Sequence, residues 1–277
     1  MNLGTFAPGV DFTGRTVIMT GSTGGLGRVL VSALVETGAN LALIVRDPEK
    51  TLALFPPDVA PRERFLVMAA NVTDAEALRY ARAECLDRFT RIDALVNGAG
   101  GNLPEATTSG ERRFFDLDAS ALHEVVELNL LGTMLPSQIF AEPMAQQGDG
   151  VIVNITSMNA MRPLTRIPAY SAAKAGVANF TQWLAVHMAQ EYSPRIRVNA
   201  IAPGFFLTEQ NRFLLTERET GELTARGASI LAHTPMGRFG EPADLVGTLL
   251  WLLSPAASFV TGAVVPVDGG FSAFSGV

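Results

Sequence analysis

A single cysteine, Cys85, excludes an intramolecular disulfide and any thiol set for a metal or a redox relay. Its setting in "ARAECLDRF" reads as a structural helical thiol of a reducing compartment. Histidine is scarce too. His123, His187 and His233 lie far apart without metal-ligand spacing, and none neighbours a serine it could activate, so neither a metal site nor a hydrolase is expected. Positive charge is in deficit: 21 Lys and Arg against 27 Asp and Glu give a net charge of −6, and no basic run offers a footprint for nucleic acid. No apolar run reaches the length of a membrane span, and the opening "MNLGTFAPGVDFTGR" lacks the basic-then-apolar order of a signal peptide. A cytoplasmic protein with a small-molecule partner, binding neither nucleic acid nor membrane, is the expectation.

What is present is apolar and rhythmic. At 277 residues, 48% hydrophobic, with 26 glycines, the chain suits one α/β domain over residues 1–277. Seven short runs read as strands with their exit turns: "TVIMT" (Thr16 to Thr20), "LALIV" (Leu41 to Val45), "FLVMAANV" (Phe65 to Val72), "ALVNGAG" (Ala94 to Gly100), "VIVNITS" (Val151 to Ser157), "IRVNAIAPG" (Ile196 to Gly204) and "AVVPVDGG" (Ala263 to Gly270). They are apolar without alternation, as parallel strands covered on both faces are. Segments of helical length fall near 25–37, 74–89, 118–146, 169–191 and 241–253. Such alternation implies right-handed crossovers and a doubly wound, seven-stranded parallel sheet with helices on both faces. The rhythm breaks once, in a long insertion at 205–240 before the last strand. That insertion should overhang the crevice beyond the strand ends as a substrate lid.

"TGSTGGLG", Thr20 to Gly27, follows the first strand and opens the first helix. Gly21 suits a tight turn, Gly25 a close approach to a pyrophosphate, and Gly27 close helix–strand packing, with the helix N-terminus favouring phosphate charge. The second strand ends "LIVRD". Arg46 there leans towards the 2′-phosphate of NADP(H), whereas Asp47, two residues past the usual acidic position, could accept a ribose hydroxyl of NAD(H); NADP(H) is slightly favoured. Farther on, Tyr170 precedes Lys174 by four residues, which puts a phenol and an ammonium on one helix face.

Taken in order, "TGSTGGLG", "NGAG" (Asn97 to Gly100), "ELNLLGT" around Asn129, Ser157, "YSAAK" and "PGFFLT" (Pro203 to Thr208) resemble the landmarks of the short-chain dehydrogenase/reductase family across nearly the whole chain. The resemblance implies a Rossmann-type fold and a catalytic set of Asn129, Ser157, Tyr170 and Lys174. Tyr170 would be the general acid/base, its phenol favoured towards phenolate by Lys174 and the oxidised nicotinamide. Lys174 would also hold the nicotinamide ribose, Ser157 would bond the reacting oxygen, and Asn129 would anchor a water chain. The cofactor would touch Thr20, Gly21, Ser22, Thr23, Gly25, Leu26, Gly27 and Arg46, then Asn71, Val72, Asn97, Gly98 and Ala99. Pro203, Gly204, Phe206 and Thr208 would lie beside the nicotinamide. Two departures occur: Asn71 stands where the family commonly has an aspartate, and Gly98 where it commonly has a second asparagine. A homotetramer is a further family expectation.

Substrate signals come from two segments. "SMNAMRPLTRIPAY" carries Asn159, Arg162 and Arg166 between Ser157 and Tyr170, and the lid start "PGFFLTEQNRFLL" adds Gln210, Asn211 and Arg212. Arginine forks suit a carboxylate and amides suit hydroxyls, so Asn159, Arg162, Gln210, Asn211 and Arg212 are candidates for a polyhydroxylated acid; equally, the arginines could be surface charges. The C-terminal half resembles family members that interconvert D-fructuronate and D-mannonate, which implies a ketone/secondary-alcohol oxidoreductase of sugar acids. A keto-gluconate or a 3-oxoacyl thioester is an alternative substrate. A non-catalytic dinucleotide-binding regulator is the alternative class, although Ser157, Tyr170 and Lys174 are all intact.

Overall fold

The computed structural model describes residues 10–208, 212–217 and 220–276. Seven parallel strands form one sheet: β1 (Thr16–Thr20), β2 (Asn40–Val45), β3 (Phe65–Ala69), β4 (Ala94–Asn97), β5 (Gly150–Ile155), β6 (Ile196–Pro203) and β7 (Val264–Val267). Their order, β3-β2-β1-β4-β5-β6-β7, reverses direction at the β1/β4 boundary. Doubly wound sheets open their ligand crevice at such a boundary. Register sets Thr20 beside Asn97 there, so the turns leaving both strands meet.

Alternation along each strand, hidden within unbroken apolar runs, divides the core. Val17 and Met19 of β1, Val96 of β4 and Val153 of β5 point to one face, where they meet α1 (Gly25–Glu36) through Leu30, Val31 and Leu34. The intervening Ile18, Leu95 and Ile152 point to the other, against α3 (Ala75–Phe89). That second face is completed by α5 (Gly132–Gln147), with Phe140 and Met144, and α6 (Pro168–Glu191), with Leu184 and Met188. Helix α9 (Val246–Leu253) closes the first face with Leu249, Leu250 and Leu253. Each fully buried large side chain contributes about 1.5–3 kcal/mol, so the two faces together are the main source of stability.

Two features depart from the sequence expectation. A short helix, α2 (Pro48–Leu54), follows β2; Asp47 caps it by accepting from Lys50 N at 3.0 Å, and Pro48 starts it. The expected 118–146 helix is α4 (Ala119–Val126) and α5 joined by a π turn, Glu127–Leu131. Strand β3 ends at Ala69 and residues 70–72 form its exit turn, as the run from Phe65 to Val72 implied. Within the insertion lie α7 (Arg212–Leu215) and α8 (Ala225–Ala232), and Phe206 bridges to Gly240 at its base. Among the described residues no helix is long and apolar enough to cross a membrane.

Candidate active site

A cleft of about 740 Å³ opens at the β1/β4 boundary, in the range that ligand sites occupy. Residues 21–28, 44–46, 70–73, 98–101 and 155–157 form its walls, with Tyr170, Lys174, Pro203, Gly204, Phe206 and Thr208 at its inner end. The glycine loop is shaped by close approach. Gly21 sits at φ +71°, and a Cβ there would lie 2.2 Å from the Gly98 carbonyl; one on Gly27 would lie 2.1 Å from Gly21 O. Gly24 begins α1 without a side-chain cap, so the first N–H groups of the helix remain available to an anion in the cleft. Ser22 Oγ is buried and finds no partner among the described residues. This cradle fits a pyrophosphate.

Four of the expected residues stand behind the cleft wall instead of lining it. Thr20 is fully buried, and its Oγ1 accepts from both Gly98 N and Ala99 N at 3.1 Å, fixing the β4 turn. Asn97 donates from Nδ2 to Ser137 Oγ and Asn154 Oδ1, each at 2.9 Å, so its side chain lies among the buried groups under the sheet and is turned away from any cofactor. Asn129 sits in the π turn and clasps Gly101, donating to its carbonyl at 2.6 Å and accepting from its N–H at 3.2 Å. Asn159, expected to meet substrate, is buried against Ser157 and Leu164. Arg162 and Arg212 are exposed and do not line the cleft; Arg162 follows a tight turn whose backbone closes on Met158, which sends its side chain outward. Gln210 and Asn211 lie outside the described residues.

At the inner end the catalytic candidates converge. Tyr170 and Ser157 both line this end, close enough for the serine to act on the phenol. Lys174 Nζ lies 5.6 Å from the Tyr170 ring centroid and donates to Ile155 O at 2.9 Å, while Thr156 Oγ1 donates to Lys174 O at 2.7 Å. A Cβ on Gly100 would come within 2.6 Å of Asn129 Oδ1 and 3.2 Å of Lys174 Nζ, so glycine there lets the two approach from either side. Burial holds the Lys174 ammonium down at about 8 and pushes the Tyr170 phenol up, with Ser157 acting on the phenol in the opposite direction.

The sequence reading does not single out Lys50, Glu124, Glu127, Leu128 or Arg226, and it names Arg166 without placing it among the binding candidates. Lys50 of α2 joins Arg46 at the adenosine end of the cleft, and Glu124, Glu127 and Leu128 form part of the rim. Arg166, four residues before Tyr170, has a left-handed φ of +78° and its carbonyl accepts from Thr108 N at 2.9 Å. Strain of that kind in a non-glycine residue persists only where surroundings impose it. Arg226, on α8, is lowered from its ordinary value first by burial and then by the positive charge of Arg166. The ion pairs among the described residues involve neither arginine.

The family model described as enoyl-(acyl carrier protein) reductase matches residues 21–272. The chain belongs to the short-chain dehydrogenase/reductase family. It is accordingly an oxidoreductase acting on alcohol and ketone groups. It is 44% identical over 276 residues to the uncharacterized oxidoreductase UxuB of Bacillus subtilis strain 168, covering 96% of this chain and 98% of that one. A crystal structure from Haemophilus influenzae with bound NAD, provisionally named a D-mannonate oxidoreductase, superimposes with a TM-score of 0.90 at 44% identity, over 96% of this chain and 98% of that chain. A gluconate 5-dehydrogenase from Burkholderia cenocepacia, in complex with NADP and tartrate, gives a TM-score of 0.82 at 30% identity, over 95% and 97%. As a short-chain dehydrogenase/reductase the chain needs a nicotinamide dinucleotide, and the glycine cradle, the unpartnered Ser22 hydroxyl and the length of the cleft fit one.

Proposed function

We propose that the chain interconverts D-fructuronate and D-mannonate, reducing the ketone of the sugar acid to a secondary alcohol. The observation that carries the reaction type is the convergence of Ser157 and Tyr170 at the inner end of the cleft, with the Lys174 ammonium beside them. A bound reduced nicotinamide supplies a hydride to the carbonyl carbon. Tyr170 gives its phenolic proton to the oxygen as the C=O π bond opens; its raised pKa keeps that proton in place at neutral pH. Ser157 donates a hydrogen bond to the same oxygen. Lys174, whose Nζ has two donors left beyond its bond to Ile155 O, grips the nicotinamide ribose. Asn129, beside Gly100, anchors the water chain that returns a proton to Tyr170 by way of Lys174.

The substrate assignment rests on the 44% likeness to the protein provisionally named a D-mannonate oxidoreductase and on Arg166 and Arg226, which feel each other's charge and pair with no carboxylate among the described residues. We assign the substrate carboxylate to these two, because Arg226 is half-buried beside a second positive charge. Residues 1–277 act as one domain, with 205–240 as its lid. For the cofactor, Asp47 is engaged as the cap of α2 while Arg46 and Lys50 face the cleft, which favours NADPH; the NAD in the Haemophilus protein supports NADH. The exposed Trp183, stacked on His187, and the exposed Tyr192, edge-on to the same ring, support a homotetramer assembled through the long helices.

A second reading, a 3-oxoacyl thioester, is favoured by the description of the family model and by the Phe205–Phe271 ring pair, 5.1 Å apart, at the start of the lid. Following nicotinamide absorbance with D-fructuronate, tagaturonate, 5-ketogluconate and a short 3-oxoacyl thioester, with NADH and NADPH in turn, decides between them. Rapid oxidation with fructuronate is the expected result; activity on the thioester alone would replace the sugar acid. In the same assay Tyr170→Phe should keep cofactor affinity while turnover falls about 100-fold or more.

A further inference from the structure

We propose that Asn159 is a positioning residue that makes the Ser157 hydroxyl an obligate hydrogen-bond donor to the reacting oxygen. The inference rests on the reading of Ser157 and Tyr170 as the pair that meets that oxygen.

A serine hydroxyl offers one proton and two acceptor positions, and which of them faces a substrate depends on what its neighbours occupy. Here Ser157 Oγ accepts from the backbone N–H of Asn159 at 3.2 Å and from its side-chain Nδ2 at 3.3 Å. Both acceptor positions are thus taken. The only capacity left is the Ser157 proton, which can go to the Tyr170 oxygen or to a substrate oxygen. Both residues are buried, Ser157 at 7% and Asn159 at 6% exposure, so the pair is held within the cleft wall.

The direction of the Asn159 amide is fixed by its other end. Leu164 N donates to Asn159 Oδ1 at 3.0 Å, and a backbone N–H cannot accept, so Oδ1 must face Leu164 and the NH₂ must face Ser157. The loop between Asn159 and Leu164 thereby acts on the polarity of the active-site hydroxyl. With Ser157 confined to donating, the reacting oxygen meets two donors, Ser157 and Tyr170. That pattern suits a carbonyl oxygen gaining negative charge, and donors aimed at developing charge are among the larger contributors to rate.

A purely structural Asn159 would only staple the loop, and Asn159→Asp separates the two roles. The carboxylate keeps an oxygen for the Leu164 N–H, but it turns an acceptor towards Ser157 and draws the Ser157 proton away from the substrate. On whichever panel substrate the wild type turns over, kcat in N159D should fall about 100-fold or more while cofactor affinity and Tm hold. It should recover as pH falls and the carboxyl gains a proton, a slope absent from the wild type. N159A, which loses the staple as well, should be less impaired in kcat than N159D. In a Ser157→Ala background the N159D effect should vanish. Wild-type kcat in N159D, or N159A the more damaged of the two, overturns the proposal.

A readout without substrate keeps the test independent of the sugar acid. In a chain with Tyr80→Phe and Tyr192→Phe, saturated with oxidised cofactor, the ultraviolet phenolate titration of Tyr170 should move to higher pH in N159D, because Ser157 no longer donates to it. An unmoved titration overturns the positioning role even where kinetics cannot be read. If S157A alone leaves turnover intact, it is the site assignment that fails, and with it the ground for this inference.

Discussion

Lys174 is a buried cation held at the inner end of the cleft. Burial lowers its folded-state pKa from 10.5 to about 8, so between those values the folded chain holds fewer protons than the unfolded chain. Stability therefore rises with pH across that window, and below about 8 the cost of the buried charge is fully present. Lys174→Met should consequently raise Tm at neutral pH by about 2–4 °C, the shift that roughly 1 kcal/mol makes in a chain of this size, while turnover is abolished. A scanning-calorimetry comparison that shows a lower Tm would mean that the ammonium is compensated better than its burial implies. In the wild type, kcat/KM should decline as pH rises through about 8, when Lys174 loses the charge that grips the ribose. The residues that make this centre were legible as types and spacings: Ser157, Tyr170 and Lys174 all line the cleft. Their orientation was not. Thr20, Asn97, Asn129 and Asn159 belong to the same motifs yet turn into the wall, because the direction of a side chain depends on partners such as Ser137 and Leu164 that no motif contains.

Among the elements, the strands were the easiest to read, because a parallel strand covered on both faces must be apolar throughout and few other structures need to be. Short or irregular helices were harder. The seven residues of α2 carry only a start signal, Asp47 followed by Pro48, and too few apolar positions for a period to emerge. The π turn left no trace in the pattern: Glu127–Leu131 reads as ordinary helix, and only the structure reveals the wider turn that brings Asn129 to Gly101. Such turns appear mostly at functional sites, where one extra residue re-aims a side chain at some cost to helix geometry. Deleting Leu130 should restore an unbroken helix and hold Tm within a few degrees or raise it, yet lower kcat by about tenfold or more as Asn129 rotates out of reach. Unchanged kcat in that variant would show that the water chain does not depend on Asn129.

At the scale of the whole molecule, the fold brings together segments far apart in the chain. Arg166 precedes α6 and Arg226 belongs to α8, and their mutual repulsion has no anionic counterweight among the described side chains. Long-range pairs of this kind are absent from local sequence patterns, which is why Arg166 drew attention beside Arg162 while its neighbour Arg226 on α8 did not. Arg226→Ala should raise KM for a carboxylated substrate about tenfold with kcat for a neutral ketone unchanged, a split that steady-state kinetics on both substrates resolves. The joint between β5 and α6 has a consequence of another kind. The Thr156 hydroxyl holds the carbonyl of Lys174, and the ammonium of Lys174 holds the carbonyl of Ile155, so the end of β5 and the helix are tied through both the backbone and the side chain of one residue. Neither tie survives if helix and sheet part. A melted helix over an intact sheet is therefore an improbable resting place on heating, and loss of turnover with temperature should overlay the loss of secondary structure as one curve, with no dead but folded plateau between them.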